Sequence, residues 1–336
     1  MKMAKEAVTR NYENLLSDIG ALLEEGRRKA VTNVNNLIVN TYWNIGRQIV
    51  EFEQRGKIKA EYGSGTLDKL STDLTSIYGK GFSRDNLERM RKFYLLFKNS
   101  ETLSRKLSWS HYCAILRLDD GLARNFYIRE VEKEGWSVRE LARNINSMLF
   151  ERIALSKDKK GVLELSKKGH IVEKAEDLIK DPYVLEFLGL EELHRYTEAH
   201  LEERIITNME KFLLELGKGF MFVARQQRIT IEDEHFYIDL VFYNRILKCF
   251  VLIELKIGKL THQDLGQLQM YVNYYDRKIK QDDENHTVGI LLCADKKEAI
   301  VQFSLPKENR QIFASKYKIY LPNKEELQER LRKLLE

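Results

Sequence analysis

The spacing of apolar residues changes near residue 200, and this change limits the chain to a helical half followed by a half built around a β-sheet. From residue 10 to about 155, apolar residues recur at i, i+3, i+4 and i+7, as in Val31 to Phe52 and Leu67 to Tyr78, which predicts amphipathic helices. After residue 200, β-branched and aromatic residues form the runs GFMFVARQQRITI, HFYIDLVFY and KCFVLIELKI. Such runs are typical of strands, and these three predict a meander.

Further elements flank the meander. A helix is predicted from Leu201 to Leu216, and another begins at Thr261. HTVGILLCAD and QIFASKYKIYLP are predicted strands, and a terminal helix follows Asn323. The order α-β-β-β-α-β describes a sheet covered by helices, so the whole chain is predicted to be α+β.

The two halves are separated by the lysine-rich stretch KDKKGVLELSKKGH. We therefore predict a helical domain at residues 1–155, a linker at 156–180 and a second domain at 181–336. Asp181 and Pro182 supply the cap and first residue expected of a short helix, Tyr183 to Leu188.

Composition excludes several classes of protein. The 336 residues are enough for about two domains. No apolar run approaches the ~20 residues of a membrane span, and charged residues occupy the start of the chain, where a signal peptide is apolar. Cys113, Cys249 and Cys293 show neither metal-ligand spacing nor a disulfide framework. The sequence thus predicts a cytoplasmic protein without a membrane partner.

Positive charge is concentrated in the helical half, where residues 1–155 hold 26 Lys and Arg against 20 Asp and Glu. A glycine turn, Gly79 to Phe82, precedes a helix predicted from Ser83 to Phe97, which is the length found in helix-turn-helix units. The side chains predicted to contact nucleic acid are Arg84 and Asn86 at base edges and Arg89, Arg91 and Lys92 at phosphates. The alternative is a solvated face of an ordinary amphipathic helix.

Two carboxylates interrupt the apolar strands of the meander. Asp239 lies within FYIDLVFY, and Glu254 lies within VLIEL. With a hairpin loop near Arg245 to Lys248, opposed residue numbers sum to about 493, which sets Asp239 across from Glu254. Directly opposed like charges destabilise a hairpin, so this arrangement predicts a cation between them.

The same hairpin brings further groups to the carboxylates. Lys256 shares a strand face with Glu254, and the carbonyl of Leu255 lies between them. Two acids and a carbonyl are hard oxygen ligands that suit Mg²⁺ or Mn²⁺. A lysine beside that metal can position water and neutralise charge on a phosphoryl group, which predicts phosphodiester hydrolysis. The alternative is an exposed hairpin with a cross-strand salt bridge.

Neighbouring helices offer supporting candidates. Glu202 is one turn before the apolar stripe of the helix that precedes the meander, which suits a contact with metal-bound water. A helix-end glutamate stabilised by the helix dipole is an equal alternative. Gln267 and Tyr271 are i, i+4 neighbours in the following helix and are predicted to face the site, although ordinary helix-surface polarity competes.

Asp239 followed by Glu254-Leu255-Lys256, with Gln267 and Tyr271 behind, resembles the PD-(D/E)XK nuclease superfamily. The stretches ELGKGFMFVARQQRI and GQLQMYVNYYD look like the YhcG-type family of bacterial nuclease-domain proteins, and YWNIGRQIVEFEQ and GFSRDNLERMRKFYLLF are similar to its helical domain.

The resemblance implies a restriction-endonuclease-like fold, a central mixed sheet flanked by helices. It also implies Mg²⁺-dependent DNA cleavage, with metal ligation at Asp239 and Glu254 and a catalytic lysine at Lys256. Ile238 replaces the proline that names the motif. Restriction, repair, recombination and mobile-element defence are the roles proposed for such proteins.

The sequence therefore predicts a metal-dependent DNA endonuclease. A non-catalytic DNA-binding or regulatory protein that keeps the nuclease fold is the alternative, and the sequence does not separate DNA from RNA as the substrate. Cleavage of both strands would favour a homodimer.

Overall fold

A computed structural model describes residues 2–55, 61–190, 196–295, 298–321 and 323–336. The chain divides into two compact units, residues 1–142 and 143–336. Among the described helices, none combines the length and the apolar character that crossing a membrane requires.

The first unit is helical, as predicted. Its helices are α1 (Lys2–Arg55), α2 (Glu61–Tyr78), α3 (Arg84–Leu96), α4 (Trp109–Ile115), α5 (Gly121–Glu134) and the beginning of α6 (Val138–Asn146). Leu87, Met90 and Phe93 of α3 are completely buried. They lie one helical turn apart, which is why α3 presents a continuous apolar face to its neighbours.

The turn between α2 and α3 contains the predicted glycines. Gly79 and Gly81 have φ values of 82° and 121°, which glycine adopts without the steric penalty of a Cβ. Ser83 then caps α3, because its side chain accepts a hydrogen bond from the backbone N–H of Asn86 at 3.3 Å. The predicted helices and turn of this segment are therefore present.

The second unit contains a six-stranded sheet. Its helices are α7 (Leu149–Ala154), α8 (Lys159–Lys168), α9 (Glu198–Thr207), α10 (Met209–Leu216), α11 (His262–Lys278), α12 (Glu298–Ser304) and α13 (Lys324–Leu335). Its strands are β1 (Tyr183–Val184), β2 (Phe220–Ile231), β3 (Glu234–Asn244), β4 (Cys249–Lys259), β5 (Val288–Asp295) and β6 (Ile312–Lys318). The strand order is β1-β6-β5-β4-β3-β2. β2, β3 and β4 pair antiparallel and the remaining neighbours pair parallel, so the sheet is mixed, as predicted.

Helices cover both faces of this sheet. Leu240 and Phe242 of β3 pack in one cluster with residues of α9 and α10, whereas Val241 packs in a second cluster with residues of α11. Side chains of a strand alternate between its two faces, so β3 and β4 are apolar on both sides. Polar groups in the middle of these strands therefore lie between two apolar layers.

Two predicted helices differ in the structure. The helix predicted from Tyr183 to Leu188 is wrong, since Tyr183 and Val184 form β1, which pairs in parallel with β6, and only Glu186–Leu188 is a 3-10 turn. Pairing with a distant strand outweighs the local helix-start signal here. The helix predicted from Leu201 to Leu216 is divided at Asn208, whose side-chain amide donates to the carbonyl of Arg204 at 3.0 Å.

The segment predicted as a linker, residues 156–180, is folded. It contains α8 and a 3-10 helix, Ala175–Leu178, and it buries Val162 and Leu165. It belongs to the unit that begins at residue 143. The domain boundaries predicted at residues 155 and 181 stay predictions.

Candidate active site

The candidate site lies where β3 and β4 separate. The two strands pair from Asn244 with Cys249 to Leu240 with Ile253, which confirms the predicted register. Asp239 and Glu254 are the next residues beyond this last pair. There, hydrogen bonds from backbone N–H groups to the two carboxylates take the place of backbone–backbone hydrogen bonds between the strands. The backbone N–H of Asp239 donates to Glu254 Oε1 at 3.1 Å, and the N–H of Leu255 donates to Asp239 Oδ2 at 2.8 Å.

Burial makes this pair of carboxylates electrostatically expensive. Glu254 is 5% exposed, and burial together with the nearby Asp239 raises its pKa to about 8. Burial also raises the pKa of Asp239, although bonds from Leu255 and Gln226 oppose the rise. Both shifts favour the neutral acids, so ionising the two groups together requires a neighbouring positive charge.

Lys256 supplies one positive charge at the site. Its Nζ lies 3.3 Å from Oε2 of Glu198, in the first turn of α9, and 3.7 Å from Oδ1 of Asp264, in the first turn of α11. Burial opposes the charged form of Lys256, but Glu198 outweighs it, and the pKa of the lysine is raised. Acids in the first turns of α9 and α11 therefore hold the ammonium group of Lys256 beside Asp239 and Glu254.

Gln226 connects two of the acids. In the hairpin register it lies opposite Asp239, and its side-chain amide donates to Asp239 Oδ1 at 3.0 Å and to Glu202 Oε2 at 2.6 Å. Its φ of 45° is in the left-handed region, which is uncommon for a residue with a side chain and which often marks functional sites. Glu202 is 8% exposed, and burial, with Asp239 nearby, raises its pKa.

The predicted pair on α11 is also in contact. Gln267 Nε2 donates to the hydroxyl of Tyr271 at 2.6 Å, and that hydroxyl donates to the carbonyl of Tyr237 at 3.2 Å. Tyr271 is 1% exposed and its pKa is raised by burial. The pair thus ties α11 to β3 two residues before Asp239.

The donor set fits a hard divalent cation. Asp239, Glu254 and the carbonyl of Leu255 are oxygen donors, and the raised pKa values of both acids are the response expected of carboxylates that a cation would compensate. Among the described residues there is no grouping of three or more His, Cys, Asp or Glu side chains with the geometry of a metal site. Water would therefore complete the coordination, as Mg²⁺ commonly requires.

The residues predicted to contact nucleic acid lie on α3, and they differ in how far contacts within the protein already occupy their side chains. The amide of Asn86 donates to the carbonyl of Gly81 and accepts from the indole of Trp109, which is a structural role. Arg91 is paired with Glu53 at 2.7 Å. Arg84 is exposed and pairs with Asp68 at 3.4 Å, and Arg89 and Lys92 are exposed.

Two residues of the site, Glu198 and Asp264, were not predicted from the sequence, whereas Gln226 and Gln227, at the end of the first strand of the meander, were weaker candidates. Glu198 and Asp264 each lie in the first turn of a helix, where an acid is common for reasons of capping alone, so no local pattern distinguished them. In the β2–β3 hairpin, the pairs Arg225 with Leu240 and Gln227 with Ile238 place Gln226 opposite Asp239.

Known families match both halves of the chain. Residues 18–152 match the DUF1016 N-terminal domain, and residues 176–332 match the YhcG PDDEXK nuclease domain. The chain is 37% identical to the protein named "Putative nuclease YhcG" of Escherichia coli (strain K12), over 98% of this chain and 96% of that protein.

The family match identifies residues 176–332 as a PDDEXK nuclease domain. The chain belongs to the YhcG family, whose nuclease domain contains all the residues of the candidate site.

Solved structures share a smaller part of the chain. A repair endonuclease from Pyrococcus abyssi is 17% identical, with a TM-score of 0.26 over 40% of this chain and 50% of its own. EndoMS in the apo form is 21% identical, with a TM-score of 0.26 over 39% and 49%. This chain spans about half of each solved chain, and the family match carries the fold assignment.

Proposed function

We propose that this protein is a metal-dependent endonuclease that hydrolyses phosphodiester bonds of DNA. The observation that carries the proposal is the meeting of Asp239, Glu254 and Lys256 at the point where β3 and β4 separate, inside a PDDEXK nuclease domain. Opposed buried acids are costly to keep in a fold, and a catalytic metal site explains why both are present.

Each residue of the site has a proposed role. Asp239, Glu254 and the Leu255 carbonyl would hold Mg²⁺ or Mn²⁺, which supplies charge stabilisation and activates water when bound. Lys256 would orient the attacking water and compensate charge on the phosphoryl oxygens. Gln226 fixes the orientation of Asp239 through its amide, and Glu202 receives the second bond from that amide.

The proposal is tested by cleavage assays with Asp239→Asn. Purified protein is incubated with plasmid, linear, single-stranded and branched DNA and with RNA, in Mg²⁺, Mn²⁺ or EDTA. Loss of a metal ligand removes several kcal/mol of charge stabilisation, so the rate should fall by about 10²–10³ or more. Asp233→Asn, an exposed acid in the β2–β3 turn, is the matched control and should keep full activity.

Three outcomes contradict the proposal in different ways. Equal cleavage activity of Asp239→Asn and wild type would show that the proposed site is not the catalytic site. Cleavage of RNA alone would assign another substrate. Absence of cleavage, together with metal-independent DNA binding, would favour the regulatory protein that keeps a nuclease fold.

The proposal includes a nucleic-acid contact by α3 in the first unit. Arg89 and Lys92 are exposed on this helix. Each phosphate contact releases counterions and contributes about −0.9 to the slope of log affinity against log salt. Changing both residues to Ala should flatten that slope by up to about 1.8 in a binding assay, and an unchanged slope would leave α3 as a solvated face.

A further inference from the structure

One face of the β2–β3 hairpin exposes an aromatic side chain and two arginines to solvent. Tyr237 is 49% exposed, and Arg225 and Arg228 are exposed. We call these three residues the hairpin platform. Within the part of the chain that the structure describes, neither arginine has an ion-pair partner closer than 4 Å. Both positive charges and about half of the tyrosine surface are therefore available to a ligand.

The strand register places the three residues of the platform on the same face of the sheet. Arg228 pairs with Tyr237, and directly opposed residues of an antiparallel pair lie on one face. Both neighbours of Tyr237 along β3 pack with α11, so the tyrosine and Arg228 point to the opposite face. Arg225 pairs with Leu240, which packs with α9. The platform therefore continues the sheet face that α9 covers further along β3.

The platform adjoins the candidate active site. Tyr237 precedes Asp239 by two residues, about 7 Å along the strand at ~3.4 Å per residue. Arg225 precedes Gln226, whose amide bonds to Asp239 and Glu202. Burial raises the pKa of Glu202, and the bond from Gln226 and the charge of Arg225 oppose that rise. The platform thus begins beside the acids of the site and extends from them along the hairpin.

We propose that the hairpin platform binds an unpaired nucleotide of the DNA strand that the site cleaves, close to the phosphate at Asp239. The proposal rests on the proposed nuclease function. Exposed aromatic rings stack on bases, and arginines beside them neutralise phosphates. Nucleotides of one strand follow at about 3.4 Å along the axis of B-DNA, so Tyr237 reaches the base about two nucleotides from that phosphate.

The aromatic ring determines which form of DNA the platform accepts. Bases inside a duplex are stacked on their neighbours, so a protein ring reaches the face of a base only where the strand is unpaired. The backbone of Tyr237 is held in place, because its carbonyl accepts a hydrogen bond from Tyr271, which is 1% exposed. A ring on a fixed strand loses little conformational freedom on binding. We therefore expect a preference for single-stranded over duplex DNA next to the cleaved bond.

Charge favours a DNA strand as the ligand of the platform. The site holds four carboxylates near one another, those of Glu198, Glu202, Asp239 and Glu254. A phosphate backbone that approaches them is repelled unless positive charge lies along its path. Arg225 and Arg228 supply that charge beside the site. The acids of the β2–β3 turn, residues 232–234, lie about 10 Å or more beyond Arg228, about one Debye length at 0.1 M salt, so they limit the platform to the part next to the site.

Binding of labelled DNA in EDTA tests the platform without cleavage. Fluorescence anisotropy compares a single strand with a duplex of equal length. Tyr237→Leu should weaken single-strand binding by about fivefold to a hundredfold, the effect of one lost base–aromatic stack, and should leave duplex binding unchanged. Tyr237→Phe keeps the ring and should bind like wild type. The side chain is half exposed, so urea unfolding of both variants should match wild type.

The salt dependence of single-strand binding tests the two arginines. Arg225→Gln combined with Arg228→Gln should flatten the slope of log affinity against log salt by up to about 1.4, at about 0.7 per phosphate contact. The matched control is Arg245→Gln combined with Lys248→Gln, which removes the same charge from the exposed β3–β4 loop at the far end of β3 and should not change the slope. Equal slope changes in the two double variants would show a general effect of charge and overturn the platform.

Photo-cross-linking separates the platform from the nuclease activity. A single strand that contains 5-iodouracil should cross-link to Tyr237, as identified by mass spectrometry of the peptides, and Tyr237→Leu should lose that cross-link. A cross-link at Tyr237 in a protein that cleaves no DNA would support the platform and refute the nuclease activity. DNA cleavage by wild type without a cross-link at Tyr237 would refute the platform alone. Single-strand affinity that Tyr237→Leu leaves unchanged, or that Tyr237→Phe lowers equally, would also overturn it.

Discussion

Replacing Arg152 by Met should lower the free energy of unfolding by about 3 kcal/mol at pH 7. Arg152 is completely buried in the second unit, and its guanidinium lies 2.5 Å from Oε1 of Glu215, which is 1% exposed. Met fills similar volume but leaves the Glu215 carboxylate without its main partner. Breaking one side of a buried ion pair costs about 3–5 kcal/mol. The lower end applies here, because Arg143 remains 3.7 Å from Glu215 and the N–H of Val184 still donates to it.

The pH dependence separates this electrostatic cost from a packing defect. Burial alone would raise the pKa of Glu215, but Arg152 and then Lys180 reverse the shift, so its pKa is lowered. In the wild type, the stability from this carboxylate is present above the ordinary glutamate pKa and is lost as the pH falls through the lowered value. In Arg152→Met the burial effect gains weight and the pKa of Glu215 should rise. The deficit should therefore shrink between pH 7 and pH 5 as Glu215 binds a proton.

Urea unfolding followed by circular dichroism at pH 5 and pH 7 measures both effects. The double variant Arg152→Met with Glu215→Gln removes the charge together with its partner and should recover most of the loss. Tryptophan fluorescence is an internal reference, because all three tryptophans lie in residues 1–142. A deficit at pH 7 below about 1 kcal/mol, or one that grows on acidification, would refute the reasoning.

Further predictions concern the site and the fold. Gln226→Ala loses two hydrogen bonds to acids, so it should slow cleavage by roughly tenfold to a hundredfold and raise the metal concentration required. In the control Gln227→Ala, the lost amide contacts only a backbone carbonyl, so the cleavage rate and the metal requirement should not change. Equal cleavage rates for the two variants would exclude the positioning role of Gln226. Lys256→Ala should reduce the rate by about 10²–10³ while calorimetry still detects metal binding, and loss of metal binding would contradict the division of roles. Burial, together with nearby lysines, lowers the pKa of His170 to about 4. The free energy of unfolding should therefore keep its full value above about pH 6.5 and fall by up to about 3 kcal/mol as the pH drops to 4. His170→Gln should flatten that fall, and a parallel pH profile would show that other groups cause it.

The sequence determined the meander and the register that opposes Asp239 and Glu254. Strand periodicity and the length of a hairpin loop are local properties, and together they fix which residues face each other. The glycine turn between α2 and α3 was similarly readable, because Gly79 and Gly81 provide the positive φ values that the turn requires.

Contacts between distant parts of the chain decided the features that no local sequence pattern predicts. β1 exists because Tyr183 and Val184 pair with β6, more than 130 residues later in the chain, and the local signal there favoured a helix. Glu198 and Asp264 reach Lys256 from the first turns of two helices whose placement depends on packing across the sheet. Short-range sequence fixes periodicity and register, whereas contacts between distant elements depend on how the apolar faces of the sheet and its helices pack together.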